Sequence, residues 1–230
     1  MPDHPTLHPG AHAPRGSEEG NRFSPTGVEM LTVTKRMVPL DNPQPEHIDI
    51  RDIARALSAQ VRFAGHCALQ PTIAQHSLAV EWIAAELLGR TRAQEVGDSL
   101  RRAALMHDSA EAYVGDLIGA VKLLLRSRKA GEISEFDHLE ARVMVAIEKR
   151  YDCAPLPEHR ALIHEADCLA CAYEMAYAGW CPAAQPPVWV ARSSYLATTY
   201  GSADGGAGAI TYGSADAGAF LRRARALEMV

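Results

Sequence analysis

Residues 99–117 read SLRRAALMHDSAEAYVGDL, and in this stretch the apolar spacing of a helix meets several ionisable side chains. Apolar residues recur every three or four positions, which predicts a helix from about Ser99 to Val114 that Gly115 ends. An imidazole and a carboxylate then fall on the side of the helix that faces the core. The predicted inward stripe is Leu100, Ala104, His107 and Glu111.

Apolar residues recur with a period of about 3.6 through residues 47–180, so the predicted fold class is all-α. Thr72 and Gln75 form a capping box that would open another helix, which Gly89 would close. Residues 157–178 predict a long helix with proline in its first turn. The other predicted inward stripes are Ile50, Ile53, Ala54 and Leu57; Ile73, His76, Val80, Ile83 and Leu87; Leu139, Val143 and Ile147; and Ile163, Asp167, Ala170 and Glu174.

The two ends of the chain differ in composition from its middle. Residues 1–30 are rich in proline, glycine and histidine, which predicts a disordered extension. Residues 199–230 are rich in glycine and alanine, which predicts a flexible tail that ends in a short, solvated helix from Phe220 to Leu227. Residues 31–198 are predicted to form one domain, in which strand-like alternation is weak and confined to residues 188–190.

The composition excludes several classes of protein. The chain has 230 residues, a formal net charge of −5, 47% hydrophobic and 22% charged residues, which is typical of a globular protein. No apolar run approaches the roughly 20 residues of a membrane-spanning helix. Mild acidity argues against binding a nucleic acid polymer by its phosphates. We therefore expect neither a membrane nor a polymeric nucleic acid as partner.

The number of cysteines indicates the redox state of the protein's compartment. Five cysteines are an odd number in a chain without an export signal, which predicts free thiols in a reducing, cytoplasmic compartment. Cys168 and Cys171 have the spacing of a redox pair, but they lie in a helical run. They are predicted to be buried thiols on a helix.

Four ionisable residues of three predicted helices fall on or beside core faces. Two imidazoles and two carboxylates buried without partners would cost free energy, and a divalent cation removes that cost. Mixed nitrogen and oxygen ligation suits one Mn, Co, Fe, Ni or Zn ion better than Ca or Mg. The candidate metal ligands are His76, His107, Asp108 and Asp167.

The order of these residues resembles the HD-domain metal-dependent phosphohydrolases over residues 50–178. The likeness is closest to the branch of bacterial 5'-deoxynucleotidases and phage dATP triphosphohydrolases. It implies a helical bundle with one metal site between core helices, a phosphoric ester hydrolase and, commonly, a homo-oligomer. The matching segments are Arg62-Phe63, Ala74–Ser77, His107–Leu117, Lys122 and His164–Cys168.

The resemblance also implies a role for each matching residue. His76, His107, Asp108 and Asp167 would bind the metal ion. Glu111 would orient and deprotonate the attacking water, and Asp116 would assist the nucleophile or the leaving group. Arg62 would hold phosphate oxygens, and Lys122 would either do the same or be a solvated helix residue.

Two positions depart from the nucleotidase branch. Phe63 stands where that branch has tryptophan, so an aromatic wall is kept while selectivity for deoxyribose stays open. His66 is an additional residue that would either contact substrate phosphate or lie at the rim of the cleft.

The implied function is hydrolysis of a small nucleotide. The substrate would be a (deoxy)nucleoside 5'-monophosphate, giving nucleoside and phosphate, or a dNTP such as dATP, giving nucleoside and triphosphate. The alternatives are an HD-type phosphodiesterase and a non-catalytic nucleotide-binding or sensor protein. The absence of an adjacent histidine pair favours one metal, and retention of Glu111 and Asp116 favours an enzyme.

Overall fold

A computed structural model of the chain describes residues 28–67, 70–91, 97–127, 134–177 and 214–230. These residues are mostly helical, with one short antiparallel hairpin, which confirms the predicted all-α class. Short 3-10 turns cover Pro45–His47 and Phe63–Gly65. The strands and helices are β1 (Glu29–Leu31), β2 (Met37–Pro39), α1 (Ile50–Ala59), α2 (Ile73–Thr91), α3 (Gly97–Met106), α4 (Glu111–Val114), α5 (Gly119–Ser127), α6 (Glu135–Tyr151), α7 (Pro157–Tyr177) and α8 (Ser214–Ala226).

Several predictions concern segments outside the described residues. They are the predicted disorder up to residue 27, the strand-like alternation at 188–190 and the flexible tail up to residue 213. The division into one domain with two extensions therefore stays a prediction.

The hairpin corrects the boundary of the predicted N-terminal extension. Glu29 and Met30 were predicted to be disordered, but they pair with Pro39 and Val38 across the two strands. Val38 is fully buried, and Met30 packs against the same core cluster. Apolar contact therefore orders these two residues.

The helix starts follow local capping, and one predicted helix end is wrong. Thr72 N donates to Gln75 Oε1 at 2.9 Å, and Gln75 N donates to Thr72 Oγ1 at 3.2 Å, so the predicted capping box opens α2. The helix passes through Gly89 and ends at Thr91, because Gly89 does not adopt the left-handed backbone of a C-terminal cap. The long helix predicted over residues 157–178 is confirmed by α7.

The single helix predicted over residues 99–114 is wrong. The structure ends α3 at Met106 and begins α4 at Glu111. Between them, Ser109 N donates to Met106 O at 2.9 Å and Glu111 N donates to Asp108 O at 3.0 Å. These bonds span three residues instead of four and tighten the chain into a turn. The residues that follow Met106 therefore leave the helix.

Two core clusters meet along α2. One lies around α1, α4, α6 and α8, and the other is formed by α2, α3 and α7. The predicted stripes are largely confirmed, since Ile53, Leu57, Ile83 and Leu100 are fully buried. Each such side chain contributes about 1.5–3 kcal/mol relative to an exposed one. The clusters hold α2 against α3 and α7, which carry the candidate site.

The C-terminal helix is part of the core, and the prediction of a solvated helix is wrong. Phe220 and Ala224 of α8 are fully buried, and Leu227 is buried just after the helix. The helix packs against α1 and α2, and Arg223 donates a hydrogen bond to the buried Glu81 of α2. The spacing of these apolar residues matches one helix face, which explains the packing.

The thiols are only partly as predicted. The described cysteines are free. Cys168 of α7 is exposed and Cys171 is half-buried, so the predicted burial is wrong for Cys168, which points away from the buried Ala166 and Ala170. Among the described helices, none has the length and apolar character that crossing a bilayer requires.

Candidate metal centre

His76 lies at the centre of the candidate site. Its ring belongs to α2 and is fully buried. Nδ1 lies 3.0 Å from Glu174 Oε1, and Nε2 lies 3.0 Å from Asp167 Oδ1 and 3.8 Å from Asp108 Oδ2. The two carboxylates thus contact the ring from opposite sides, with Nδ1 toward Glu174 and Nε2 toward the aspartates.

His107 and Asp108 come from the turn that follows α3. His107 Nδ1 donates to Ala104 O at 2.9 Å, which leaves Nε2 to face the site. This Nε2 lies 3.2 Å from Asp108 Oδ2, and the ring of His107 lies 5.4 Å from that of His76 between centroids. Ligand atoms of His76, His107 and Asp108 all lie within 4.8 Å of one another, so the three residues could hold a metal ion.

The donor set fits a metal ion. His107 Nε2 is buried without a hydrogen bond to any described residue, and it can ligate a cation once its proton is displaced. Two imidazole nitrogens and a carboxylate form the mixed set that transition metals accept. Asp167 of α7 contacts this group of three residues through His76 Nε2. Its side chain is about two-fifths exposed, so it lies at the solvent-facing edge of the site.

Opposite charges shift the pKa values within the cluster. Burial alone would lower the pKa of His107, but Asp108 and Asp167 raise it to about 9. Burial would raise the pKa of Asp108, but His107 and His76 hold it well below its usual range. The pKa of Asp167 is also lowered, because the hydrogen bond and charge of His76 outweigh burial. Both aspartates are therefore anions at neutral pH, as metal ligation requires, whereas His107 has to release its proton when a metal ion binds.

Glu111 lies buried at the start of α4 beside Lys122. Its Oε1 accepts a hydrogen bond from Lys122 Nζ at 3.3 Å, and its Oε2 is buried without a hydrogen bond to any described residue. Burial and the charges of Asp108 and Asp116 raise the pKa of Glu111 to about 8, and Lys122 offsets part of this effect. Lys122 also donates to Glu140 at 3.1 Å, so it is paired with two carboxylates, which argues against the solvated helix residue that was one of its two alternatives.

Asp116 follows Gly115, whose φ of 80° ends α4 as predicted. Asp116 N donates to Gln60 Oε1 at 3.2 Å, while Gln60 Nε2 donates to Glu111 O at 3.0 Å. Burial raises the pKa of Asp116, and the positive charge of Arg62 opposes this shift. One amide side chain thus ties the start of α4, which carries Glu111, to the segment just after the helix, which carries Asp116.

Arg62 joins the cluster from the 3-10 turn before α2. Its Nε donates to Glu174 Oε2 at 2.9 Å, and its NH1 lies 3.7 Å from Asp108 Oδ2. The guanidinium carbon lies 5.3 Å from the centre of the Phe63 ring, a distance at which a cation and an aromatic face attract each other. Arg62 therefore reaches the candidate metal ligand Asp108, with the Phe63 ring beside its guanidinium.

His66 is not brought into the cluster. It is exposed after a turn in which Phe63 and Ala64 have φ values of 58° and 51°. No side-chain contact joins it to the candidate ligands within the described part of the chain. Its prediction as a phosphate contact stays untested.

Three polar residues of the site received no role from the sequence. Glu174 binds both His76 and Arg62, Gln60 binds both ends of α4, and Glu140 binds Lys122. Glu174 lay on the inward stripe of its helix, and this position was the available signal. Gln60 and Glu140 carried no such signal, because their partners lie far away in sequence.

Comparison with known proteins gives relatives without a stated activity. No family model matches the chain. It is 32% identical to an uncharacterized protein of Rhodobacter capsulatus over 132 residues, which are 55% of this chain and 61% of that protein. It is 30% identical to the uncharacterized protein YfdR of Escherichia coli over 116 residues, which are 50% of this chain and 54% of that protein. The chain therefore spans only about half to three fifths of these relatives, and their names carry no activity to it.

Proposed function

We propose that this protein is a metal-dependent nucleotide phosphohydrolase of the HD-domain kind. The observation that carries the proposal is the cluster of His76, His107 and Asp108, with ligand atoms within 4.8 Å of one another. Glu111, four residues after His107, is a buried carboxylate that forms an ion pair with the cation Lys122. A metal-binding protein needs the ligands alone, whereas hydrolysis also needs a base and phosphate-binding cations.

The proposed roles follow from the contacts of each residue. A divalent transition metal held by the two histidines and by Asp108 and Asp167 would supply Lewis acidity toward a phosphate oxygen. In its ionised form, which the charge of Lys122 favours, Glu111 accepts a proton from the attacking water through Oε2, the oxygen that Lys122 does not bind. Asp116 assists this transfer from the other end of α4.

Arg62 and Lys122 make the site suitable for an anion. Glu174 holds the Nε of Arg62, so the guanidinium binds phosphate through its terminal nitrogens, while Lys122 acts as a point charge. Two local cations in a chain of net charge −5 suit a small nucleotide better than a polymer. The Phe63 ring provides an apolar wall for the sugar or base.

A release assay tests the proposal. We expect purified protein to liberate phosphate from nucleoside 5'-monophosphates, or tripolyphosphate from dNTPs, with added Mn²⁺ or Co²⁺ and not with EDTA. Ribo- and deoxynucleotides are compared to test whether Phe63 permits both sugars. Absence of turnover with every metal and nucleotide would contradict the proposal. Size-exclusion chromatography with light scattering tests the expected homo-oligomer.

A further inference from the structure

Glu174 of α7 is a buried carboxylate shared by two functional side chains. Its side chain is fully buried, with Oε1 3.0 Å from His76 Nδ1 and Oε2 2.9 Å from Arg62 Nε. The hydrogen bonds join residues 98 and 112 positions away in sequence. A single carboxylate therefore connects a candidate metal ligand with a candidate phosphate ligand.

We propose that Glu174 is a positioning residue that sets both metal affinity and phosphate affinity, through His76 and Arg62 respectively. The inference rests on the proposed function, because it assumes the metal and phosphate sites. It deepens that function by making one side chain responsible for both ligands.

The effect on the metal follows from the imidazole. A carboxylate on Nδ1 favours the tautomer of His76 that keeps its proton on Nδ1, so a cation can displace the proton from Nε2 and use its lone pair beside Asp108 and Asp167. It also orients the ring and makes Nε2 more basic. Loss of such a partner typically weakens metal binding by about 10 to 100-fold.

The effect on phosphate follows from the guanidinium. The hydrogen bond from Nε fixes the plane of Arg62 and places NH1 3.7 Å from Asp108 Oδ2, at the edge of the candidate metal site. Side chains that are fixed before the ligand arrives lose less entropy on binding. A phosphate would therefore meet an arginine already turned toward the metal-binding residues.

The Glu174→Gln variant tests the proposal by titration calorimetry. Glutamine has one acceptor oxygen and no charge, so it cannot accept from His76 Nδ1 and Arg62 Nε with a separate oxygen each, as the carboxylate does. We expect at least about tenfold weaker binding of Mn²⁺ to the metal-free protein. We also expect weaker binding of inorganic phosphate to the Mn²⁺-loaded protein. If either dissociation constant stays within about twofold of wild type, the joint role is overturned.

Glu81→Gln is a matched control for the loss of a buried carboxylate. Glu81 of α2 is also buried and binds two arginines, Arg101 and Arg223. This variant is expected to melt at a lower temperature and to keep wild-type affinity for Mn²⁺ and phosphate. An equal loss of affinity in Glu81→Gln would overturn the inference, because any weakened core would then have the same effect.

Glu174→Asp covers the case in which the glutamine variant does not fold. It keeps the buried charge but is one methylene shorter, so it cannot reach both partners. The same two losses are expected, and wild-type affinities would contradict the inference. Failure of the proposed function looks different, because wild-type protein itself would then bind no Mn²⁺ or release no phosphate.

Discussion

At the scale of single residues, one main-chain carbonyl and one buried carboxylate decide which ring nitrogen of each histidine faces the site. His107 donates from Nδ1 to Ala104 O, and His76 donates from Nδ1 to Glu174, so both imidazoles present Nε2 to the cluster. Asp108 Oδ2 lies 3.2 Å from one of these nitrogens and 3.8 Å from the other. The ligand atoms are therefore oriented by partners outside the metal-binding set.

Variants of Asp108 and Glu111 should affect different steps: the first should abolish metal binding, and the second should lower turnover only. Asp108→Ala removes a ligand, so we expect no Mn²⁺ uptake in calorimetry. Glu111→Gln keeps the ligands but removes the base, so we expect unchanged Mn²⁺ uptake and a fall in kcat of about 10²- to 10⁴-fold. Loss of Mn²⁺ binding in Glu111→Gln would contradict its assignment as the base.

The sequence showed the candidate ligands because each lies on or beside an apolar stripe. His76 falls between Ile73 and Val80 on α2, where a polar residue stands out. Glu174 had the same signal on α7, yet its two partners could not be inferred, because the pairing depends on how α2 and α7 pack. Contacts between distant elements are not encoded in a local period.

At the scale of elements, α1 depends on a charged cap. Asp49 accepts from Arg51 N at 2.9 Å, which caps the helix, and its side chain binds those of Arg51 and Arg36. The hydrogen bonds of Arg51 and the charge of Arg36 lower the pKa of Asp49 from 3.8 to about 2, against the effect of burial.

Asp49→Asn should change how stability depends on pH. Because the folded-state pKa of Asp49 is depressed, its charge stabilises the fold above about pH 4, and this contribution is lost as pH falls from about 4 to 2. Asparagine keeps the cap, so we expect a loss of about 1 kcal/mol at pH 7 and little difference near pH 2.

Urea unfolding of wild type and Asp49→Asn at several pH values between 2 and 7 measures this difference. Asp41→Asn is the control, because Asp41 is exposed in the turn after β2. A difference between wild type and Asp49→Asn that does not change with pH would contradict the prediction.

The elements were predictable where local rules govern them. The capping box of Thr72 and Gln75 and the stripes of α1 and α7 follow from sequence spacing. The break after Met106 did not follow from spacing, because the predicted stripe from Leu100 to Glu111 keeps its helical spacing across it and the tight turn depends on hydrogen bonds of three-residue span. The hairpin was missed because each strand has only three residues.

At the scale of the whole molecule, α8 completes the core formed by α1 and α2. Its burial could not be predicted, since a short apolar face after a glycine-rich segment also fits a solvated helix. Phe220→Ala should lower the free energy of unfolding by about 3–5 kcal/mol, because it leaves a cavity at a fully buried position. Urea unfolding measures the loss, and Arg222→Ala on the exposed side of α8 is the control. Equal stability of the two variants would contradict the packing of α8.

A metal ion bound at the cluster would join α2 to the turn after α3 and, through Asp167, to α7. Binding to the folded state alone stabilises it, by about 2.7 kcal/mol when the free metal concentration is 100 times Kd. We therefore expect Mn²⁺ to raise the Tm by about 5–10 °C and EDTA to reverse the rise. Differential scanning calorimetry of wild type and Asp108→Ala measures this rise in Tm. An equal rise in the variant would show that the ion binds elsewhere.

The turn after Arg62 has a consequence for protein engineering. Phe63 and Ala64 both adopt left-handed backbone, which costs an L-residue roughly 1–2 kcal/mol. Glycine has no such cost, so Ala64→Gly, ordinarily a destabilising exchange, relieves strain at this position. In a selection for thermostable variants, Ala64 is thus a position where glycine would be enriched, and the exchange leaves the ring of Phe63 and the charge of Arg62 unchanged.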